Sequence, residues 1–470
     1  MRNKYLISCI IFLSVNYIQA ATIYLVDNSA TSGPTGSGWR IAGIGESNQH
    51  LDNTSFNEWY LATKFAIGDQ VWLLSDTYTL TGTLALKTNG KIYGGFYGTE
   101  TNSTIGDANG RQLVSSPAGD WNLKYASIID GAATYQGIKG GAGTVIIDGI
   151  TVQNCLHTAH NATAAGIAVT TRTVVQNCTV TGCTLACDSI VNGASSAISL
   201  SSGSKLFNSY IHDNTFSVTS PGEIGNRSGG AVSILGNLMY SYETVTPAIS
   251  GCKITNNTTI AGVNAGGLLV YSSTSNAFAN AQVLDCTISN NSTIGYGGGI
   301  GIYYANNVNN TSNTTPLVIT GCTFDANVAQ SGGGGISFNN NSTEKTNNNV
   351  TIQNCIFTNN NASSSALTGT GDSKSGGAIY TNGNITINNC VIASNVGSNS
   401  ILVVDSAGVS IDVNNCTIAN NVNTTSIAVP GFYSNVPVTA STFTNTIFYN
   451  QTGNPIYFNG GTYYPFVSYC

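Results

Sequence analysis

A short pattern built around cysteine and asparagine recurs along most of the chain. It consists of a small polar residue, Cys, any residue, a β-branched or aromatic residue, two further residues and then Asn. A repeat of a few tens of residues builds stacked coils, each of which contacts only its neighbours. The pattern therefore predicts a solenoid. Clear copies contain Cys252, Cys286, Cys322, Cys355, Cys390 and Cys416, and weaker copies contain Cys155, Cys178, Ser209 and Thr446.

Two strands are expected in each coil. One carries the cysteine, and the period-two alternation of a strand places Cys252 and Ile254 together on its inner face. The Asn three residues after that Ile is expected to end the strand at a turn, where Asn tolerates a left-handed backbone. The other strand follows a glycine pair, as in Gly266-Gly267-Leu268-Leu269-Val270. Parallel coils about 4.8 Å apart would align equivalent residues in ladders.

The composition limits the classes of partner. Charged residues make up only 8% of the chain, against roughly a quarter in ordinary soluble domains. The net charge is −6 and no cluster of Lys and Arg occurs, so nucleic-acid binding has no electrostatic basis. No stretch after the N-terminal 20 residues is long and apolar enough to span a bilayer as a helix. We expect a monomeric rod without a cofactor.

Residues 1–20 have the features of a signal peptide. Arg2 and Lys4 provide a basic start, an apolar stretch follows, and Ile18-Gln19-Ala20 fits a cleavage site. We therefore expect an exported protein that is extracellular or lies on the outer cell surface.

Residues 21–100 are predicted to form an N-terminal cap together with the first coils. Ser55-Phe56-Asn57-Glu58 has the form of a capping box. Apolar residues at helical spacing follow it, which predicts one short α-helix from Ser55 to Phe65. Such a helix would cover the first open sheet edge of the solenoid.

These segments resemble a known family. The glycine-pair and cysteine–asparagine segments are similar to motifs of polymorphic outer-membrane proteins and, more broadly, of right-handed parallel β-helix proteins with the pectin-lyase-like fold. The N-terminal part resembles secreted β-helix proteins of Bacteroidetes-type bacteria in Gly68-Asp69-Gln70-Val71-Trp72, Thr77-Tyr78 and the run from Lys91 to Glu100. Asp76 departs from the family, which has Gly before Thr-Tyr.

The resemblance implies an all-β fold. We expect a single-stranded right-handed parallel β-helix over residues 101–470, preceded by the cap with its short α-helix. In the family the chain continues beyond the position of Cys470, so the β-helix is expected to be truncated at its C-terminus.

The ladder cysteines are expected to be free thiols. Stacked side chains have Cβ atoms about 4.8 Å apart, whereas a disulfide needs about 3.5–4.5 Å. Cys183 and Cys187 lie outside this ladder, and a local disulfide between them stays open. Their spacing from Cys155 and His157 fits no standard zinc pattern, so no metal site is predicted.

Enzymes of the pectin-lyase-like fold need charges that this chain largely lacks. A lyase acting on uronates needs cations and a base, and a hydrolase needs two facing carboxylates. No Arg occurs after Arg227, and only Lys253, Lys345 and Lys374 follow it. The residue set that resembles polygalacturonases is also absent. No catalytic residue is therefore assigned.

One polar cluster remains as a candidate ligand-binding site. Strand alternation places His212 outward because Ile211 lies inward. A solvated face beside a long loop is the competing interpretation. The candidate residues are His212, Asp213, Glu223, Arg227, Tyr240 and Tyr242.

The functional prediction follows from these observations. We expect a secreted or cell-surface structural or adhesive β-helix protein that binds glycans or other host- or cell-surface polymers. The alternative is a carbohydrate-active enzyme, a polysaccharide lyase or glycoside hydrolase of the pectin-lyase-like fold.

Overall fold

The computed structural model describes most of the repeat region and parts of the N-terminal region. Every regular element in the described residues is a β-strand. The described ranges are 23–26, 49–51, 69–114, 123–159, 162–169, 172–187, 193–201, 203–218, 228–235, 248–260, 265–272, 281–304, 317–340, 349–362, 376–398, 400–405, 408–424, 431–434, 441–450, 456–458 and 466–468.

The strands form four sheets, and each full coil contributes one strand to each sheet in turn. Sheet 1 holds the strand before the cysteine position, sheet 2 the strand after it, sheet 3 the strand after the ladder asparagine, and sheet 4 the strand after the glycine pair. All pairings between these strands are parallel, as in Tyr210–His212 beside Lys253–Thr255. This is a parallel β-helix, and parallel crossovers are right-handed by a strong general rule.

Sheet 1 has 15 strands, with Gln49–Leu51 at its edge beside Ile23–Val26. Its strands are Ile23–Val26, Gln49–Leu51, Gln70–Leu74, Lys91–Phe96, Ile146–Asp148, Val174–Gln176, Lys205–Phe207, Ala248–Ser250, Gln282–Leu284, Leu317–Thr320, Asn349–Gln353, Asn384–Asn388, Ile411–Asn414, Thr442–Thr444 and Phe466–Ser468.

Sheet 2 has 12 strands. They are Thr77–Thr79, Ser127–Asp130, Ile150–Gln153, Thr179–Thr181, Tyr210–His212, Lys253–Thr255, Thr287–Ser289, Thr323–Asp325, Ile356–Thr358, Val391–Ala393, Thr417–Ala419 and Ile447–Tyr449.

Sheet 3 has nine short strands. They are Leu156–His157, Thr184–Cys187, Thr215–Val218, Thr258–Thr259, Ser292–Thr293, Val328–Ala329, Asn361–Ala362, Val396–Gly397 and Val422–Asn423.

Sheet 4 has 12 strands. They are Leu84–Ala85, Ile138–Lys139, Ile167–Ala168, Ile198–Leu200, Val232–Leu235, Leu268–Ser272, Ile300–Tyr304, Ile336–Asn340, Gly376–Thr381, Ser400–Val404, Phe432–Ser434 and Ile456–Phe458.

One column of stacked residues directly precedes the strands of sheet 2, and we call it the cysteine column. Its side chains are buried inside the coil, next to the inward Ile and Phe residues. The predicted packing of Cys252 and Ile254 is therefore confirmed, since both are at most 1% exposed. The column consists of Cys178, Ser209, Cys252, Cys286, Cys322, Cys355, Cys390, Cys416 and Thr446.

A second column of stacked residues directly precedes the strands of sheet 3, and we call it the asparagine column. The side-chain oxygen of Asn291 accepts from the Nδ2 of Asn257 at 2.9 Å and from its backbone N–H at 3.1 Å. Each step thus satisfies a buried amide on both sides, which is the condition for burying polar groups. The column consists of Asn214, Asn257, Asn291, Asn327, Asn360, Asn395 and Asn421, with Cys155 and Cys183 at the equivalent position of the two preceding coils.

Two details of the repeat differ from the prediction. The left-handed turn falls on the residue before the ladder asparagine, as at Asn256 with φ 56°, while Asn257 itself is fully buried. Cys155 belongs to the asparagine column and not to the cysteine column, because Leu156 pairs with Thr184 and so aligns it with Cys183. The Cys183 N–H then donates to the Oδ1 of Asn214 at 2.9 Å.

The glycine pair lets sheet 4 approach the asparagine column. A Cβ atom on Gly267 would lie 3.1 Å from the Nδ2 of Asn291, and one on Gly299 would lie 3.3 Å from the Nδ2 of Asn327. It would also lie 2.6 Å from the Gly335 carbonyl oxygen. The pair is thus required by close backbone approach.

The N-terminal motif ties a loop to the outside of sheet 1. Glu100 accepts hydrogen bonds from the backbone N–H groups of the three residues before it, at 2.7–3.0 Å. The guanidinium of Arg111 pairs with Asp148 at 2.8 Å, and both side chains are at most 4% exposed. Arg111 also lies over the rings of Tyr93 and Phe96, 5.4 and 5.7 Å from their centroids. Arg111 also donates to the Gly94 carbonyl oxygen at 3.1 Å, which joins this loop to the sheet 1 strand Lys91–Phe96.

The helix predicted from Ser55 to Phe65 and the signal peptide both lie outside the described residues. Across the ranges given above, no helix has the length and apolarity needed to cross a membrane.

Candidate functional site

The outer face of sheet 2 brings the predicted His212 and Asp213 together with residues from two neighbouring coils. In the strand Tyr210–His212, Ile211 is fully buried while the two flanking rings face outward. Parallel register places Thr181 and Thr255 on either side of His212, and Lys253 beside Tyr210. We call Thr181, Tyr210, His212, Asp213, Lys253 and Thr255 the sheet 2 cluster.

Direct contacts fix the two aromatic rings of this cluster. The rings of Tyr210 and His212 stack with centroids 4.1 Å apart and planes inclined by 28°. Thr255 lies at the edge of the stack, with its Oγ1 3.4 Å from the Tyr210 hydroxyl. The result is a rigid, partly exposed platform that is apolar on its faces and polar at its rim.

His212 is oriented by a carboxylate. Its Nδ1 lies 2.6 Å from the Oδ2 of Asp213 and 3.2 Å from the Oγ1 of Thr181. A carboxylate only accepts, so Nδ1 carries the proton and Nε2 is the acceptor of the neutral ring. Asp213 reaches this position because it occupies the left-handed turn, with φ 56°. Its side chain is 58% exposed, against 20% for His212, so the carboxylate keeps contact with solvent.

A depression of about 310 Å³ adjoins the platform on the N-terminal side. Thr151 and Thr179 line it, and they stack in register with Tyr210. Leu123 and Val114 form its apolar side. No residue of the sheet 2 cluster lines this depression, but its lining residue Thr179 pairs directly with Tyr210, and its volume lies at the lower end of the roughly 300–1,000 Å³ of small-molecule sites.

The remaining predicted site residues cannot be related to this cluster. Glu223 and Arg227 lie in residues 219–227, and Tyr240 and Tyr242 lie in residues 236–247, both outside the described part of the chain. Tyr210, Lys253, Thr181 and Thr255 were missed by the sequence analysis. They could have been found, because each lies one or three residues after the cysteine column, where alternation points side chains outward.

The six predicted ladder cysteines are free and at most 2% exposed. Each thiol donates to the carbonyl two residues before it, at 3.2–3.4 Å. Cys183 and Cys187 are also buried and form no disulfide, so the local disulfide left open by the sequence is not present. Among the described residues, no three His, Cys, Asp or Glu side chains are grouped to hold a metal ion.

Among known proteins, only solved structures show a similarity to this chain. No protein-family model matches the chain, and no curated protein matches it. The catalytic unit of a thermostable GH87 α-1,3-glucanase from Streptomyces thermodiastaticus strain HF3-3 shares 14% identity at a TM-score of 0.35, over 91% of this chain and 71% of that one. The catalytic domain of a GH87 α-1,3-glucanase, variant D1045A in complex with nigerose, shares 13% identity at a TM-score of 0.31, over 92% and 70%.

Both neighbours are described as glucanases. Their TM-scores lie below 0.5, so neither transfers an activity to this chain.

Proposed function

We propose that the chain is an exported β-helix protein that binds glycans through the sheet 2 cluster and serves as a structural or adhesive surface protein. The observation that carries the proposal is the stacked pair of Tyr210 and His212 on the outer face, next to the depression lined by Thr151 and Thr179. Sugar rings have apolar C–H faces and polar rims, and the cluster offers the complementary arrangement. Aromatic faces bind the former, while hydroxyl, carboxylate and ammonium groups bind the latter.

The position of the cluster suits a polymer. It lies on the outside of a long sheet whose coils repeat about every 4.8 Å. Thr287, Ser289 and Thr323 continue its two outward columns toward the C-terminal coils. A glycan chain lying along the sheet would therefore meet hydroxyl groups beyond the aromatic platform.

The binding proposal is tested on a glycan array and by affinity electrophoresis in polysaccharide gels. Replacing the platform ring, Tyr210→Ala, should weaken binding by roughly ten- to a hundredfold, since burying an aromatic ring is worth about 1.5–3 kcal/mol. Tyr449→Ala is the matched control, because Tyr449 is an exposed ring on the same sheet at its C-terminal end. The proposal would be contradicted if the unmodified chain, Tyr210→Ala and Tyr449→Ala bound glycans equally, or if the unmodified chain bound none.

A carbohydrate-active enzyme is the second candidate, and one observation favours it. His212 is held by Asp213 at 2.6 Å with Nε2 as its acceptor, which is the arrangement of an oriented general base. We nevertheless expect no cleavage of pectate, alginate or glycosaminoglycans, with or without Ca²⁺. Turnover of any of these polymers that is lost in His212→Ala or Arg227→Ala would favour the enzyme.

A further inference from the structure

A second groove lies on a different face of the β-helix, outside sheet 4. It has a volume of about 450 Å³, within the roughly 300–1,000 Å³ of small-molecule sites. We call it the sheet 4 groove. Its lining residues in the described part of the chain are Gln136, Lys139, His157, Thr163, Ala168, Val169, Ser199, Ser201 and Leu235.

Side-chain size creates the groove. The outward column of sheet 4 runs from Lys139 through Ala168 to Ser199 in three successive coils that pair in register. The small side chains of Ala168 and Ser199, in two successive coils, leave a trough beside the long side chain of Lys139. Leu235, which packs over Gly193, limits the trough on its other side.

The ionisable groups among the described lining residues are all basic. Of the nine described lining residues, Lys139 and His157 are basic, and none is acidic. This is unusual in a chain with net charge −6. Lys139 is exposed and so holds its ammonium group in contact with solvent.

Hydrogen bonds orient the second basic group. The carbonyl oxygen of Ala164 lies 3.0 Å from the Nδ1 of His157, and it also accepts from the Nε2 of Gln136 at 2.7 Å. A carbonyl only accepts, so the Nδ1 of His157 carries the proton. The other ring nitrogen, Nε2, is therefore the one left to contact a ligand, and it becomes a donor when the ring is protonated.

We propose that the sheet 4 groove binds an acidic sugar, with Lys139 and His157 contacting its carboxylate or sulfate group and the hydroxyls of Thr163 and Ser201 contacting the ring. The two anions share the chemistry that recognises them, since each accepts charge-assisted hydrogen bonds. This inference takes from the proposed function only the class of ligand, a sugar. The site itself is independent, because the groove and the sheet 2 cluster share no residue.

The test is calorimetric titration of the full chain with glucuronate, with glucose 6-sulfate and with glucose. Glucuronate or glucose 6-sulfate should bind, and glucose should bind at least tenfold more weakly. Lys139→Met should weaken acidic-sugar binding by roughly tenfold, because a hydrogen bond to a charged group is lost. Lys205→Met is the matched control, since Lys205 faces outward from sheet 1 and should leave binding unchanged. Thermal melting of each variant establishes that it is folded.

The outcomes separate this site from the sheet 2 cluster. Acidic-sugar binding that survives Tyr210→Ala and is lost in Lys139→Met supports the groove, even if the sheet 2 cluster binds no glycan. Binding that is lost in Tyr210→Ala and kept in Lys139→Met would assign the ligand to sheet 2 and overturn the inference. Equal binding of glucose, or no binding of either acidic sugar, would overturn it too. A preference between the two acidic probes identifies the anion as a carboxylate or a sulfate.

Discussion

At the scale of single residues, one step along the chain separates two roles of asparagine. Asn256 turns the chain with φ 56°, and Asn257 is fully buried with its amide in the column. The sequence contains both residues side by side, but alternation alone does not say which one turns. Asp213 holds the same turn position as Asn256 in the preceding coil, and this places its carboxylate beside His212.

The assigned register makes a prediction for adjacent residues. Ile288 is fully buried between coils, whereas Thr287 faces outward from the same strand. Ile288→Asp should lower the free energy of unfolding by several kcal/mol, because it buries an unpaired charge. Thr287→Asp should change it by about 0.5 kcal/mol or less, as surface substitutions do. Chemical denaturation measures both, and equal losses at the two positions would refute the register.

At the scale of the coil, two of the four strands were predicted, whereas the other two strands and the place of one cysteine were not. Gly266 to Val270 and Cys252 to Asn257 contain the alternation and turn residues that define two strands, and both strands are observed. Sheet 3 was missed because its strands have only two to four residues, as in Thr258–Thr259, too few for a periodic pattern. The sheet 1 strands of the repeats were missed as well, since most have three to five residues, as in Ala248–Ser250. Cys155 was misassigned since a cysteine fits either buried column, and only strand pairing distinguishes them.

The candidate site was predicted in part for a similar reason. His212 and Asp213 are neighbours in sequence, and alternation alone places His212 outward. Their partners Thr181 and Lys253 lie 31 and 41 positions away from His212. Loops of variable length separate these coils, so the pairing register that joins the residues appears only in the folded chain.

The glycine pair supplies a prediction at the same scale. A Cβ atom on Gly299 would lie 2.6 Å from the Gly335 carbonyl oxygen and 3.2 Å from Phe324, so Gly299→Ala should destabilise the fold by roughly 1–3 kcal/mol. Gly82 has no atom within 4 Å of an added Cβ. Gly82→Ala should therefore be neutral or stabilise by up to about 1 kcal/mol. If thermal melts show no difference between the two variants, close packing of sheet 4 on the asparagine column is wrong.

At the scale of the whole molecule, the repeated core and the two candidate surfaces are separate. The buried columns run through the coils from Cys178 to Thr446, and their contacts are satisfied inside the helix. The sheet 2 cluster and the sheet 4 groove are built from outward residues of a few coils near the N-terminal half. In a repeat protein each coil contacts only its neighbours, so outward substitutions there should leave the distant columns intact.

The cysteine content gives a prediction for the entire chain. The sequence has 12 cysteines, and the ten described ones are all buried and form no disulfide. Burial raises the pKa of Cys178 to about 12, and since the thiolate is the reactive species, its reaction at pH 8 should require unfolding. Because all ten described groups are buried, thiol titration without reductant should find them unreactive in the native protein and reactive after denaturation, with mass spectrometry locating each label. Thr287→Cys, on the outer face of sheet 2, should add one group that reacts without denaturant. If denaturation releases thiols only after a reductant is added, the cysteines are disulfide-bonded and the stacking of free thiols is refuted.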